Sequence, residues 1–126
     1  MGHKHVFTIN GSPQCLDFVG ELLQDERYIV TATNFVPHTF DMIVALEPDM
    51  LIIDLVVAQR AGWELIARLR DAALTRGIPV LVTSTDPQLL ARAEAEAGPA
   101  ERRGYLVMPF DIQDLIDAVH RLIGAA

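Results

Sequence analysis

Asp54 closes the apolar run Leu51-Ile52-Ile53, and a carboxylate in that position has two possible employments. It can accept N–H bonds from the loop that follows, the commonest task of an aspartate in a turn, or it can serve as a nucleophile. Ser84 lies 30 residues further along, at the end of another apolar run, and with Thr85 and Asp86 it reads either as a reactive-site hydroxyl or as the entry to a helix. Asn10-Gly11-Ser12-Pro13 follows the first apolar run and makes a turn and helix cap in its own right, without a charged ligand. Tyr105 reads first as a half-buried sheet aromatic, Met108 as packing before Pro109, and Trp63 as a buried residue. His3 and His5 alternate as a weak metal pair would, but a terminus is where idle residues collect. Cys15 is the one cysteine, cannot form an internal disulfide, and is assigned no role.

The elements that must position these residues follow from the patterning. Short apolar runs alternate with helical periods at intervals of roughly 20 residues. His5–Asn10, Tyr28–Thr33, Met50–Asp54, Pro79–Ser84 and Tyr105–Val107 read as five strands, several of them nearly continuous in Val, Ile and Leu. Such runs suit a parallel sheet covered on both faces. Ser12-Pro13 and Asp86-Pro87 each put a capping oxygen before a proline, a sharp helix start. Leu16, Val19 and Leu23 form the stripe of the first helix, and Leu65, Ile66 and Leu69 that of the third. The last helix opens at Asp111 and repeats Ile112, Leu115, Ile116, Val119, Leu122 and Ile123, and a second helix falls near Pro37–Leu46. Five βα units with right-handed crossovers predict an α/β fold with a doubly wound, five-stranded parallel sheet over a single domain, 1–126. Ligands of such sheets sit beyond the carboxyl ends of the strands, here the loops starting at Asn10, Thr33, Asp54, Ser84 and Val107.

Three segments carry a resemblance. Pro48-Asp49-Met50-Leu51-Ile52-Ile53-Asp54-Leu55 with Gly62 eight residues after Asp54, Ile78-Pro79-Val80-Leu81-Val82-Thr83-Ser84, and Gly104-Tyr105-Leu106-Val107-Met108-Pro109-Phe110 stand in order and at the right spacing. Together they resemble the receiver domains of response regulators in two-component phosphorelay signalling, over the chain from about His5 to Ile123, with a flavodoxin-like (βα)5 fold. The resemblance implies that Asp54 is the phosphoacceptor position, modified by a histidine kinase or a small phosphodonor. It implies that Ser84 and Tyr105 are the switch positions, coupled to the surface of the fourth helix, fifth strand and fifth helix, and that the peptide before Pro109 is cis. The family's acidic pair falls on Asn10 and Gly11, and its lysine on Met108. Phosphoryl transfer to a carboxylate calls for a divalent cation and a fixed positive charge. Glycine offers no ligand, an asparagine amide no charge, and a thioether no partner for phosphate. The expectation is therefore a pseudo-receiver, with Mg²⁺ bound weakly through Asp54 or not at all and no other cofactor.

Bulk composition narrows the rest. The chain has 126 residues, 51% of them hydrophobic and 21% charged, enough for one well-filled core and too apolar for disorder. A formal charge of -7 opposes nucleic acid and anionic membrane. Arg92, Arg102 and Arg103, and likewise Arg68, Arg70 and Arg76, could form local positive spots but read more economically as solvated helix faces, and Glu94, Glu96 and Glu101 as a solvated acidic surface. The segment Gly98–Arg103 is about two residues longer than the resemblance suggests. No apolar run nears the roughly 18 residues of a membrane span, and no basic-then-apolar leader opens the chain, so a cytoplasmic location is expected.

The leading expectation is a non-enzymatic module that binds a kinase, an effector or a second copy of itself through the fourth helix, fifth strand and fifth helix. The alternative is a receiver still weakly phosphorylated on Asp54. A small flavodoxin-like enzyme or cofactor-binding domain is disfavoured. Ile9-Asn10-Gly11 has no acid for phosphatase chemistry, Val56 stands where a cobalamin domain wants histidine, and Asn10–Gln14 is a poor flavin-phosphate loop.

Overall fold

The computed structural model describes residues 3–56, 59–98 and 102–125. Five strands, β1 (His5–Ile9), β2 (Ile29–Thr33), β3 (Met50–Asp54), β4 (Val80–Ser84) and β5 (Arg103–Val107), alternate with five helices. The helices are α1 (Pro13–Asp25), α2 (Thr39–Leu46), α3 (Ala61–Asp71), α4 (Pro87–Glu96) and α5 (Ile112–Ile123). All neighbouring strands are parallel, in the order β2-β1-β3-β4-β5, which is the doubly wound flavodoxin-like arrangement the sequence predicts.

The apolar runs are the strands buried on both faces. Every residue of β3 and of β4 is buried, whereas the edge strand β2 leaves Ile29 half exposed. Because side chains alternate along a strand, one face of the sheet carries Val6, Met50, Ile52 and Leu81 against α1 and α5. The other carries Phe7, Ile9, Leu51, Ile53, Val80 and Val82 against α2, α3 and α4. Each such side chain contributes roughly 1.5–3 kcal/mol of hydrophobic stabilisation.

Helix starts follow the local chemistry. Ser12 Oγ accepts from the Cys15 N–H, Asp86 from the Gln88 N–H, each with proline at the first turn, and Asp111 forms a reciprocal capping box with Asp114. Four expectations are corrected. Ile112 is half exposed rather than part of the buried stripe, because at the first helical position it precedes the turn that packs on the sheet. The second helix begins at Thr39, since Thr39 Oγ1 donates to the Val36 carbonyl and accepts from the Val36 N–H, closing a turn ahead of it. β5 begins two residues earlier than expected, at Arg103, so the segment read as a long loop ends sooner; its residues 99–101, Glu101 included, lie outside the described ones. Trp63 is only partly buried, at the edge of the core, and Arg92 covers its ring. The far end of α5 is held by Lys4, Arg102 and the Tyr28 hydroxyl, which donate to the carbonyls of Ile123, Leu122 and Gly124 respectively. Among the described residues no helix is long and apolar enough to cross a membrane.

Candidate functional site

Strand alternation decides what meets at the carboxyl end of the sheet. Asp54 ends β3 on the face covered by α1 and α5, beside Asn10 at the exit of β1 and Thr83 on β4. Asp54 is 7% exposed, and Thr83 Oγ1 donates to its Oδ1 at 2.8 Å. Burial pushes the Asp54 carboxyl above its ordinary value, while the Thr83 hydrogen bond pulls the other way. No Lys or Arg side chain among the described residues bonds to the carboxylate.

Asn10 is turned inward on its own loop. Its Oδ1 accepts from the Ser12 N–H at 2.8 Å, and its Nδ2 donates to Cys15 Sγ at 3.1 Å. The amide thus fastens the entry of α1. Burial raises the Cys15 thiol and the Asp54 charge raises it further, so the sulfur stays protonated at neutral pH and is a poor nucleophile. Gly11 is exposed, with open space where a side chain would stand. The Met108–Pro109 peptide is cis. Met108 donates its N–H to the Ser84 carbonyl at 2.8 Å, and its side chain lines a cavity of about 10 Å³ with Thr8, Asn10, Cys15 and Thr83. That is the room of about one water molecule. The buried Thr8 hydroxyl, which faces the same cavity, has no hydrogen-bond partner among the described residues.

Ser84 and Tyr105 belong to the opposite face. Ser84 Oγ donates to the Leu55 carbonyl at 2.7 Å and accepts from the Asp86 N–H at 3.1 Å, so it ties the exit of β3 to the entry of α4. Tyr105 packs half-buried against the core beneath α3 and α4. The sequence-predicted residues therefore split into two groups. Asn10, Asp54 and Met108 gather on the α1/α5 side, Ser84 and Tyr105 lie on the α3/α4 side, and Gly11 stands apart at the surface. On the floor between them, Gly62 of α3 comes so close that an added Cβ would stand 2.9 Å from the Asp54 carbonyl oxygen. His5 puts its ring Nε2 at 2.7 Å from Thr31 Oγ1, which accounts for it within the sheet.

Thr83 is the residue that sequence reasoning missed. Its signal was the register: Leu51 faces Val80, which sets Asp54 opposite Thr83 on the same face. Until that pairing is known, a threonine beside Ser84 looks like ordinary strand composition.

The comparisons agree with this geometry. The model of the response regulator receiver domain matches residues 6–120. The DNA-binding dual master transcriptional regulator RpaA of Synechocystis sp. is 29% identical over 118 residues, covering 94% of this chain and 48% of that protein. An uncharacterized 14.6 kDa protein of Leptolyngbya boryana is 26% identical, over 96% of this chain and 91% of its own length. The chain spans 7% of another relative, the hybrid signal transduction histidine kinase D of Dictyostelium discoideum, so it matches a segment of some larger proteins. Among solved structures, a putative response regulator from Chloroflexus aurantiacus superposes with a TM-score of 0.82 at 23% identity, covering 96% of this chain and 98% of that one. The chemotaxis protein CheY4 of Vibrio cholerae does so with 0.80 at 21%, covering 96% and 99%. At those identities the structures speak for the fold, while the family model speaks for kinship. This chain belongs to the response regulator receiver domain family.

Proposed function

We propose that this receiver domain acts in two-component signalling as a protein-interaction module whose Asp54 pocket does not run the metal-dependent phosphoryl cycle. One observation carries the reading: Asp54, buried at 7% exposure, is held by the neutral hydroxyl of Thr83 and by no Lys or Arg side chain among the described residues, with the thioether of Met108 lining the adjoining cavity. A phosphoryl group on that carboxylate would bring about two negative charges into a site that offers no fixed counter-charge. The donor set does not fit a magnesium ion, which takes hard oxygen ligands in octahedral array. One oxygen of Asp54 is engaged by Thr83, Asn10 spends its carbonyl on Ser12, Gly11 has no side chain, and a protonated thiol stands beside them. Among the described residues no three His, Cys, Asp or Glu side chains cluster as a metal site would.

The partner proposed is a histidine kinase or an effector domain. Segments similar to this chain occur in the hybrid signal transduction histidine kinase D, in the sensor histidine kinase TmoS of Ectopseudomonas mendocina and in the transcriptional regulator RpaA. Half-exposed Val107 of β5 and Ile112 of α5 give the α4–β5–α5 face apolar contact points for such a partner or for a second copy of the chain. No catalytic residue is assigned, and the reading is of a non-enzymatic module. The test is an amide NMR titration with Mg²⁺ and then beryllofluoride, a phosphoryl mimic. Shifts at Asp54, Ser84 and Tyr105 are expected to stay within noise at millimolar additions, and saturable shifts at those three residues would overturn the reading.

A further inference from the structure

Thr8 stands near the middle of β1, opposite Ile52 of β3, in the layer between the sheet and the helices α1 and α5. It is 2% exposed, and its hydroxyl has no hydrogen-bond partner among the described residues. Valine has nearly the same shape and would fill that position without a polar atom, so packing does not account for the oxygen. A buried hydroxyl left alone forfeits the bonds it made to water in the unfolded chain, and such groups are rare in folded proteins. The hydroxyl of Thr8 therefore calls for a partner.

The cavity it lines determines what that partner is. At about 10 Å³ the space holds one water-sized molecule and nothing larger. A held water needs two to four polar neighbours, and the same wall provides them. Thr8 brings one O–H and two lone pairs. Asn10 Nδ2 carries a second hydrogen beyond the one given to Cys15 Sγ, and Thr83 Oγ1, whose hydrogen goes to Asp54, keeps lone pairs able to accept. The remaining wall is apolar, with Ile9, Val19, Ile52, Phe110 and Leu115. A cation would meet only neutral groups there, and an anion would meet the Asp54 charge that already acts on Cys15. An apolar atom would leave Thr8 unsatisfied.

We propose that this cavity binds a single water molecule, anchored on the Thr8 hydroxyl and shared with the polar wall formed by Asn10, Cys15 and Thr83. The water then ties the middle of β1 to the amide that fastens the entry of α1 and to the hydroxyl that holds Asp54. Thr8 acts on that pocket through the water and not by touching Asp54. The inference concerns the cavity alone and does not depend on whether Asp54 accepts a phosphoryl group. Its test contains no phosphodonor, so its failure leaves the reading of Asp54 standing.

The experiment is a crystal structure of the full chain at a resolution that shows ordered water, repeated for Thr8→Val and Thr8→Ser. The wild type should show one well-ordered water about 2.5–3.0 Å from Thr8 Oγ1 and within hydrogen-bond reach of at least one of Asn10, Cys15 and Thr83. Thr8→Val should lose that water, and Thr8→Ser, which keeps the oxygen, should retain it. Urea unfolding supplies an independent sign. Loss of a satisfied buried hydroxyl in Thr8→Val should lower the folding equilibrium constant about fivefold, whereas removal of an unsatisfied one would raise it. No density in the wild-type cavity, a water that persists in Thr8→Val, or a Thr8→Val protein as stable as the wild type or more so would each overturn the proposal.

Discussion

The two faces of the sheet are built with opposite electrostatic logic. On the α1/α5 side a buried carboxylate, Asp54, accepts from the Thr83 hydroxyl, and Asn10, Cys15 and Met108 line the small cavity beside Thr83. On the α3/α4 side Arg70, Arg92, Arg103 and Glu96 are among the described residues that line a groove. In the first region no Lys or Arg side chain among the described residues bonds to the carboxylate, and in the second the charged side chains surround an apolar floor. The two regions can differ in charge within one fold because the strands that frame both are stabilised by apolar packing that ignores those charges.

The largest expected effect comes from restoring the missing charges together. Asn10→Asp, Gly11→Asp and Met108→Lys should raise Mg²⁺-dependent modification of Asp54 by acetyl phosphate by about 100-fold or more, read by intact-mass spectrometry. Open space at Gly11 admits the new side chain. If the triple variant is no more reactive than the wild type, charge is not what separates the two regions.

Next in size is Gly62→Ala. Its Cβ would meet Leu55 Cδ2 at 2.8 Å and the Asp54 carbonyl at 2.9 Å, so α3 must shift off the floor shared by both regions. Urea unfolding should show a loss of about 1–3 kcal/mol. An unchanged midpoint would mean that this contact does not tie them.

Thr83→Val removes the hydroxyl that bonds the Asp54 carboxylate, at a cost of about 1–3 kcal/mol at neutral pH. It should raise the Asp54 pKa further, since that hydrogen bond is what opposes the effect of burial. The carboxyl carbon shift of Asp54 against pH measures this, and a lowered pKa would contradict it.

The pH dependence has a definite sign. With the folded pKa of Asp54 above the unfolded one, the folded state holds the proton more tightly, so this group lowers stability as pH rises through that window and costs nothing below it. Asp54→Asn keeps an acceptor for Thr83 and removes the buried charge. It should therefore stabilise the domain at neutral pH and be neutral near pH 3, as thermal melts at the two pH values can check.

The smallest effect belongs to Arg92→Ala. An exposed i,i+4 pair with Glu96 and a contact over Trp63 together contribute about 1 kcal/mol or less, so melting should hardly move. A large loss would mean that this surface contact carries part of the fold's stability.

What the sequence disclosed was whatever short stretches decide. Ser12-Pro13 and Asp86-Pro87 announce helix starts because capping is local, and Met50–Asp54 reads as a buried strand because each residue in it is apolar up to the carboxylate. The absence of acid at Asn10-Gly11 and of lysine at Met108 is legible in the same way. What stayed hidden depends on pairings between distant segments. Thr83 became a partner of Asp54 only through the β3–β4 register, and Ser84 proved to tie Leu55 to α4. Arg70 fell in a different group from Arg92 and Arg103 because it comes from α3, whose meeting with α4 and β5 no local pattern records. Ile112 kept the helical period yet faces outward, because periodicity tells which residues share a stripe and not where the stripe leaves the sheet.

Wild-type Asp54 is the residue whose reactivity decides the matter. Intact-mass spectrometry after incubation with acetyl phosphate and Mg²⁺ at neutral pH, with Asp54→Asn as the blank, should find no added phosphoryl mass beyond the blank. Prompt, near-complete addition of one phosphoryl group that Asp54→Asn abolishes would contradict it.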